Sequence, residues 1–171
     1  MTVEDLLSDK SLKPKEKTEQ ISHWLLTGEI SIEELTSVAE QQKDPAKGTC
    51  IEAIEFATRQ QPAVANEQLL IYVTGTLSSK APRIKWESAK VIGNIAHLFS
   101  KQLGKTAEQL LLNAKHEGTV VRWSAAFALG EILKLQSPLN KKLIPKVKQC
   151  CEEEEKNSIR KIYLDALKKC S

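Results

Sequence analysis

Glycine and proline are scarce in this chain, whose 171 residues include seven glycines and six prolines. A fold with many tight β-turns needs more of both, because these two residues set the backbone geometry of such turns. Their scarcity disfavours a turn-rich β-structure and favours long helices joined by short loops. The length indicates one domain or one elongated array of repeats.

Long hydrophobic runs are also missing. The densest apolar stretches, 69–73 and 110–112, are far shorter than the roughly 18 residues that a membrane-spanning helix requires. The first residues, Met1–Asp5, contain no basic segment followed by an apolar one, so the sequence predicts no signal peptide. We therefore expect a cytoplasmic protein that does not contact a membrane.

Metal-binding and catalytic patterns are absent from the sequence as well. The cysteines Cys50, Cys150, Cys151 and Cys170 form no C-x-x-C pair, which predicts free thiols in a reducing compartment. The three histidines stand far apart, so we expect no metal site. No G-x-S-x-G motif or phosphate-binding loop is present. We accordingly predict no catalytic residue, no cofactor and no enzymatic activity.

The net charge of +3 conceals an asymmetry along the chain. Residues 1–62 contain 7 basic and 12 acidic side chains, residues 63–133 contain 8 and 5, and residues 134–171 contain 10 and 5. The acidic N-terminal end and the basic C-terminal end could orient a partner or another copy of the chain. The basic excess is too small to indicate nucleic-acid binding by itself.

Apolar residues recur at helical spacing along nearly the whole chain. Trp24 shares one such stripe with Ile21 and Leu25, which predicts that its ring packs in the core. Ser31–Glu34 and Thr106–Gln109 match the capping-box pattern of helix N-termini. Ten helices are predicted, near residues 2–9, 14–27, 31–42, 45–60, 66–79, 82–99, 105–117, 119–135, 141–155 and 157–169.

The sequence repeats itself. Residues 84–95 align with residues 121–132 without a gap, each segment with a basic residue before a tryptophan and a glycine seven positions after it. The alignment extends to the segments on either side, and its regular spacing indicates a stack of similar helical hairpins. Three of the aligned sets are Lys47, Lys85, Arg122 and Arg160; Ile54, Ile92, Leu129 and Leu167; and Ala53, Val91, Ala128 and Ala166.

The segment Val121–Gly130 resembles the second helix of a HEAT repeat, especially the subtype found in phycobilin lyases. Leu143–Val147 resembles the Leu-Leu-Pro-x-Leu of the first helix. The resemblance covers residues 31–171 as four repeats, with residues 1–30 as an N-terminal helical cap. It implies an all-α fold of the armadillo type: one domain, residues 1–171, built as a right-handed α-α superhelix (an α-solenoid) of about four hairpins.

Stacked hairpins agree with the physics of the sequence, because one hairpin cannot bury its apolar face alone. Glycine inside a helix costs about 1 kcal/mol relative to alanine. Gly93 and Gly130 nevertheless occupy matching positions of the two central repeats. We expect them to let adjacent second helices approach closely.

A helical projection of residues 121–134 places some side chains opposite the predicted core. The resemblance assigns this side of the second helices to the inner, concave surface of the stack. It predicts a row of aromatic rings in a groove, with charged residues around them. The predicted partner-binding residues are Trp86, Lys90, His97, Trp123, Phe127, Glu131 and Lys134.

Three functions are compatible with such a groove. The first hypothesis is a non-catalytic scaffold that binds an unknown partner peptide or protein. The second is recognition of nucleic acid or a damaged base, since the chain resembles HEAT-like DNA alkylation-repair glycosylases that carry tryptophan and basic residues on the concave face. The third is a chromophore-lyase-like subunit. The resemblance implies a structural role for the aligned basic residues, which we call the basic column: Lys47, Lys85, Arg122 and Arg160.

Overall fold

The structure is a computed structural model that describes residues 1–170. This part of the chain forms ten α-helices and no strand. Short 3-10 turns follow the fourth and sixth helices, at Pro62–Val64 and Ala96–Leu98. The helices are α1 (Val3–Ser8), α2 (Pro14–Thr27), α3 (Ile32–Glu40), α4 (Asp44–Gln60), α5 (Glu67–Thr76), α6 (Pro82–Ile95), α7 (Gly104–Asn113), α8 (Thr119–Lys134), α9 (Asn140–Glu153) and α10 (Asn157–Lys169).

All ten predicted helices are present. The sequence predicted the positions of the helix ends less accurately than the helices themselves. The Ser31 hydroxyl accepts a hydrogen bond from the backbone N–H of Glu34 at 3.1 Å, which confirms the N-cap half of the capping box predicted for α3. The second capping box is wrong, because α7 begins at Gly104. Thr106 is buried, and its hydroxyl is hydrogen-bonded at 2.8 Å to that of Thr74 on α5.

The helices pair in sequence order into hairpins and build two layers. The second helices α2, α4, α6, α8 and α10 pack side by side, each along the next. Neighbouring first helices contact each other less extensively, so the second helices (the inner layer) form the more closely packed of the two layers. This is the α-solenoid arrangement that the repeat predicts.

The boundary between a cap at residues 1–30 and four repeats stays a prediction. In the structure α1 and α2 contact each other, and α2 packs along α4 as α4 packs along α6. The N-terminal segment therefore continues the stack. The last residue of the predicted fourth repeat, residue 171, lies outside the described residues.

One continuous apolar core fills the space between the layers. Ile54, Ile92 and Leu129, which share one repeat position, are fully buried. Burial of each such side chain contributes about 1.5–3 kcal/mol before entropy is counted. Trp24 is half-buried and packs against this core, so the ring is only partly enclosed.

All four cysteines are free thiols, as the sequence predicts. Burial raises the pKa of the Cys50 thiol to about 12. It also raises the pKa values of Cys150 and Cys151. Because the thiolate is the reactive form, burial makes these three side chains less reactive near neutral pH.

Candidate binding surface on the inner helix layer

Two aromatic rings form a flat platform on α8. Trp123 and Phe127 are one helical turn apart, their ring centroids are 5.8 Å apart, and their planes differ by 6°. This is an offset stack, the favourable parallel arrangement of two rings. Trp123 is 38% exposed and Phe127 is half-buried. The Trp123–Phe127 stack therefore offers a rigid apolar surface to solvent.

A glycine on the neighbouring helix makes room for this stack. The Phe127 ring lies against Gly93 of α6, and a Cβ atom at Gly93 would stand 2.2 Å from a ring carbon. No side chain fits there without moving the ring, so Gly93 admits a side chain of the next second helix; a close approach of the two helices themselves stays a prediction. At Gly130 a Cβ would meet that of Ala166 on α10 at 3.4 Å, which is close to ordinary contact.

The other predicted partner-binding residues are distributed more widely. Trp86 is half-buried on α6, and His97 is exposed in the 3-10 turn that replaces the last predicted turn of that helix. Glu131 and Lys134 on α8 form an ion pair with an N–O distance of 2.7 Å. Both side chains are partly exposed, so this pair contributes little to stability.

Lys90 differs most from the sequence expectation, which places it beside the aromatic row. Its Nζ atom lies 3.3 Å from Oε1 of Glu55 on α4 and 3.5 Å from Oε1 of Glu87 on α6. Both glutamates are 2% exposed. Lys90 therefore serves as a shared counter-ion for two buried carboxylates at the α4–α6 interface.

The buried Glu55 carboxylate accepts several hydrogen bonds. It accepts hydrogen bonds from Arg59 at 2.7 and 3.0 Å and from the Asn94 amide at 2.9 Å. Burial alone would raise the pKa of Glu55, but these bonds and the charges of Lys90 and Arg59 bring it below its ordinary value. Glu55 therefore stays ionised across the physiological range.

The buried Glu87 carboxylate has fewer stabilising partners than Glu55. Burial raises its pKa to about 7; the charge of Lys90 opposes this shift, and the neighbouring Glu52 and Glu55 add to it. Glu52 accepts a hydrogen bond from the Thr18 hydroxyl of α2 at 2.7 Å. The three glutamates, which we call the carboxylate cluster, thus connect α2, α4 and α6.

Sequence reasoning missed the carboxylate cluster, because an isolated glutamate in a helix usually faces water. A signal was present in the repeat alignment. It places Glu55 at the same position as Gly93 and Gly130, which both face the next second helix. A charged residue at such a position has to be buried and paired.

Three members of the basic column hydrogen-bond to backbone carbonyls where the first helix of their own hairpin ends. Cations at helix C-termini complement the partial negative charge of the unpaired carbonyls. Arg122 also pairs with the buried Glu154, with an Nε–Oε1 distance of 3.0 Å. The carbonyl contacts are Lys85 to Leu77 at 3.2 Å, Arg122 to His116 and Glu117 at 3.1 and 2.9 Å, and Arg160 to Cys151 at 3.3 Å.

Lys47, the first member of the column, is half-buried on α4. Within residues 1–170 no cluster of histidine, cysteine or acidic side chains has the composition and proximity to hold a metal ion. No helix in the same range is long and apolar enough to cross a membrane.

Comparison with known proteins supports this architecture. No protein-family model matches the chain, and no curated protein matches it. A designed armadillo repeat protein in complex with the peptide (KR)4 has a similar structure, with a TM-score of 0.66 and 16% identity over 99% of this chain and 80% of that one. A chain from the complex of CpcE and CpcF of phycocyanin lyase from Nostoc sp. PCC7120 is also similar, with a TM-score of 0.69 and 16% identity over 96% of this chain and 96% of that one. The all-α HEAT- and armadillo-type solenoid fold is thereby confirmed.

Proposed function

We propose that this chain is a non-catalytic interaction module that binds a partner peptide or protein on the concave face formed by its inner layer. The Trp123–Phe127 stack is the observation that carries this proposal. Exposed aromatic patches mark interaction sites, and tryptophan anchors account for a large share of binding energy at interfaces. Here the anchor is held in place by two packed helices rather than by a loop.

The surroundings of the stack suit a polar rim. The Glu131–Lys134 pair, on the same helix as the stack, would form part of a rim like the charged and polar residues that surround the apolar centre of other interfaces, and Trp86 and His97 would extend the surface onto α6 and the turn after it. Lys90 would hold the inner layer together instead of contacting the partner, because it is already paired. The predicted cytoplasmic location agrees with the free thiols.

The similar structures support the same class of function by analogy at the level of the fold. The designed armadillo protein is bound to a peptide, and CpcE and CpcF are bound to each other. Both therefore use this architecture to hold another chain. Because both proteins are only 16% identical to this chain, the identity of its partner has to be inferred from its own side chains.

A peptide-display experiment tests the proposal. Peptides are selected from a random library on the wild-type chain, and the affinity of the best binder is measured for wild type, Trp123→Ala and Leu112→Ala. We expect Trp123→Ala to weaken binding at least about 10-fold, as at an interface hot spot. Leu112 is exposed on the outer helix α7 and its substitution should have no effect. Equal affinity for all three proteins would place the binding site elsewhere.

The basic residues that the nucleic-acid hypothesis invokes near the aromatic stack are already paired. Lys85, Lys90 and Arg122 all have carbonyl or carboxylate partners. Phosphate contacts would produce a steep fall of affinity with salt concentration. DNA retention at about 50 mM salt that is lost on raising the salt would revive this hypothesis.

A chromophore-lyase-like subunit is the second candidate, favoured by the match to the phycocyanin lyase complex over 96% of both chains. Under this proposal the aromatic stack would contact a chromophore instead of a peptide. The absorption spectrum of a bilin chromophore, recorded with and without the chain, tests it. A spectral shift that Trp123→Ala abolishes would favour this candidate over peptide binding.

A further inference from the structure

The C-terminal end of the stack exposes a repeat position that is buried everywhere else. Each second helix presents one face to the helix that follows it, as the contacts of Gly93 and Gly130 show. One helical turn before these positions stand Ala89 and Ala126, which are fully buried. The equivalent residue of α10 is Leu164, which is 56% exposed.

Basic side chains accompany Leu164 on this end face. Lys161 and Lys168 are exposed one turn before and one turn after it, with Asp165 beside them. The surrounding region, residues 134–171, has 10 basic and 5 acidic side chains. The end face therefore combines one apolar side chain with a positive rim.

The N-terminal end of the stack has the opposite character. Helix α1 has six residues, whereas the other first helices have between 9 and 14. A pocket of about 840 Å³ lies beside α1, between the end of α2 and α3. Its lining contains no lysine or arginine: the apolar side chains are Met1, Val3, Trp24, Ile30 and Val38, and the acidic ones are Glu4, Glu29, Glu33 and Glu34.

The acidity extends beyond the pocket itself. Residues 18–42 contain five glutamates and no lysine or arginine. Trp24 gives the pocket an aromatic wall, because this ring is only partly covered by the core. The pocket thus has an apolar interior inside a negative rim, the complement of the end face on α10.

We propose that the two ends of the stack bind each other in different copies of this chain. Leu164 of one copy enters the pocket of a second copy against Trp24, and Lys161 faces the glutamates of the rim. The contact is heterologous, since it joins two different surfaces. It uses neither Trp123 nor Phe127, so it stands apart from the proposed function.

Sedimentation velocity over a range of protein concentrations tests this proposal. We expect the average mass of the wild type to rise with concentration at about 50 mM salt and to rise less at about 500 mM, because exposed ion pairs are screened. Leu164→Asp removes the apolar contact on one surface, and Glu29→Lys/Glu34→Lys reverses the charge of the other. Each variant alone should remain monomeric.

Mixing the two variants provides the sharpest result. Each retains one intact surface, so an equimolar mixture should form a complex of two chains and grow no further. A contact between two copies of the Leu164 face would show no such rescue. A wild type that stays monomeric at all concentrations would overturn the proposal, and would leave these ends for a different partner. A mixture of the two variants that stays monomeric would also overturn it.

Matched variants separate the specific effect from a general change of charge or stability. Leu112→Asp introduces the same charge at an exposed leucine of α7. Glu67→Lys/Glu108→Lys reverses two exposed glutamates on α5 and α7, and Glu67 stands in the first turn of its helix as Glu34 does. Both controls should associate like the wild type, and circular dichroism should show that all variants are folded.

Discussion

Two neighbouring interfaces of the inner layer use one repeat position in opposite ways. Between α4 and α6, this position is Glu55, buried and bonded to Lys90, Arg59 and Asn94. Between α6 and α8 it is Gly93, whose missing side chain admits the Phe127 ring. One repeat position thus carries a buried charged network at the first interface and no side chain at all at the second.

The α4–α6 and α6–α8 interfaces differ in the energy terms on which they depend and in what they leave exposed. Burying charges carries a desolvation cost that the network offsets only while all partners are present. The glycine interface depends on shape alone and leaves the ring of Trp123 at the surface. The α4–α6 interface therefore contains a buried charged network, whereas the α6–α8 interface leaves the Trp123 ring partly exposed to solvent.

The largest expected effect comes from removing the shared cation. Lys90→Met leaves Glu55 with fewer counter-charges and Glu87 without its nearest one, and breaking a buried pair costs about 3–5 kcal/mol. We expect a loss of this size in the free energy of unfolding, measured by urea denaturation. Lys134→Met is the control: its partner Glu131 is partly exposed, so the loss should stay below about 1 kcal/mol. Equal losses would show that the buried network is no more important than a surface pair.

The second prediction concerns pH and isolates Glu87. Its pKa is about 7 in the folded chain and 4.5 in the reference state, so between these values the folded state binds more protons than the unfolded state. The free energy of unfolding must then fall as the pH rises through this window. From about pH 5 to about pH 8 we expect a contribution of roughly 2 kcal/mol.

Glu87→Gln should remove this part of the pH dependence, since glutamine stays neutral. Glu55 acts in the opposite direction but at lower pH, because its pKa lies below 4.5 in the folded chain. The exposed Glu108 provides the control substitution, Glu108→Gln. Parallel stability curves for wild type and Glu87→Gln over this pH range would contradict the prediction.

The sequence predicted the fold well and the carboxylate cluster not at all, for the same physical reason. Apolar periodicity reports which face of each helix meets the core, and this placed all ten helices and set Trp123 and Phe127 on one side. Lateral contacts between second helices follow from relative helix position, which periodicity does not encode. The partners of Lys90 therefore became visible only when α4 and α6 were seen together.

The third prediction tests the steric half of the comparison. In Gly93→Ala the new Cβ collides with the Phe127 ring, which has to move and so changes its contact with Trp123. Overpacking costs about 1–3 kcal/mol, while alanine regains about 1 kcal/mol of helix propensity. We expect a net loss of about 1–2 kcal/mol, together with a shift in tryptophan fluorescence as this contact changes. Unchanged fluorescence would mean that the ring does not depend on this glycine.

The smallest effect is expected at the other glycine, where sequence reasoning predicts the same role. At Gly130 a new Cβ would meet Ala166 at 3.4 Å and Ile162 at 3.7 Å, so little has to move. The gain in helix propensity then dominates, and Gly130→Ala should be neutral or stabilising by up to about 1 kcal/mol. Thermal denaturation of the two alanine variants side by side measures the difference directly. If Gly130→Ala is as damaging as Gly93→Ala, the α8–α10 interface is as tight as the α6–α8 interface. The need for glycine would then come from the repeat position itself and not from the Phe127 ring.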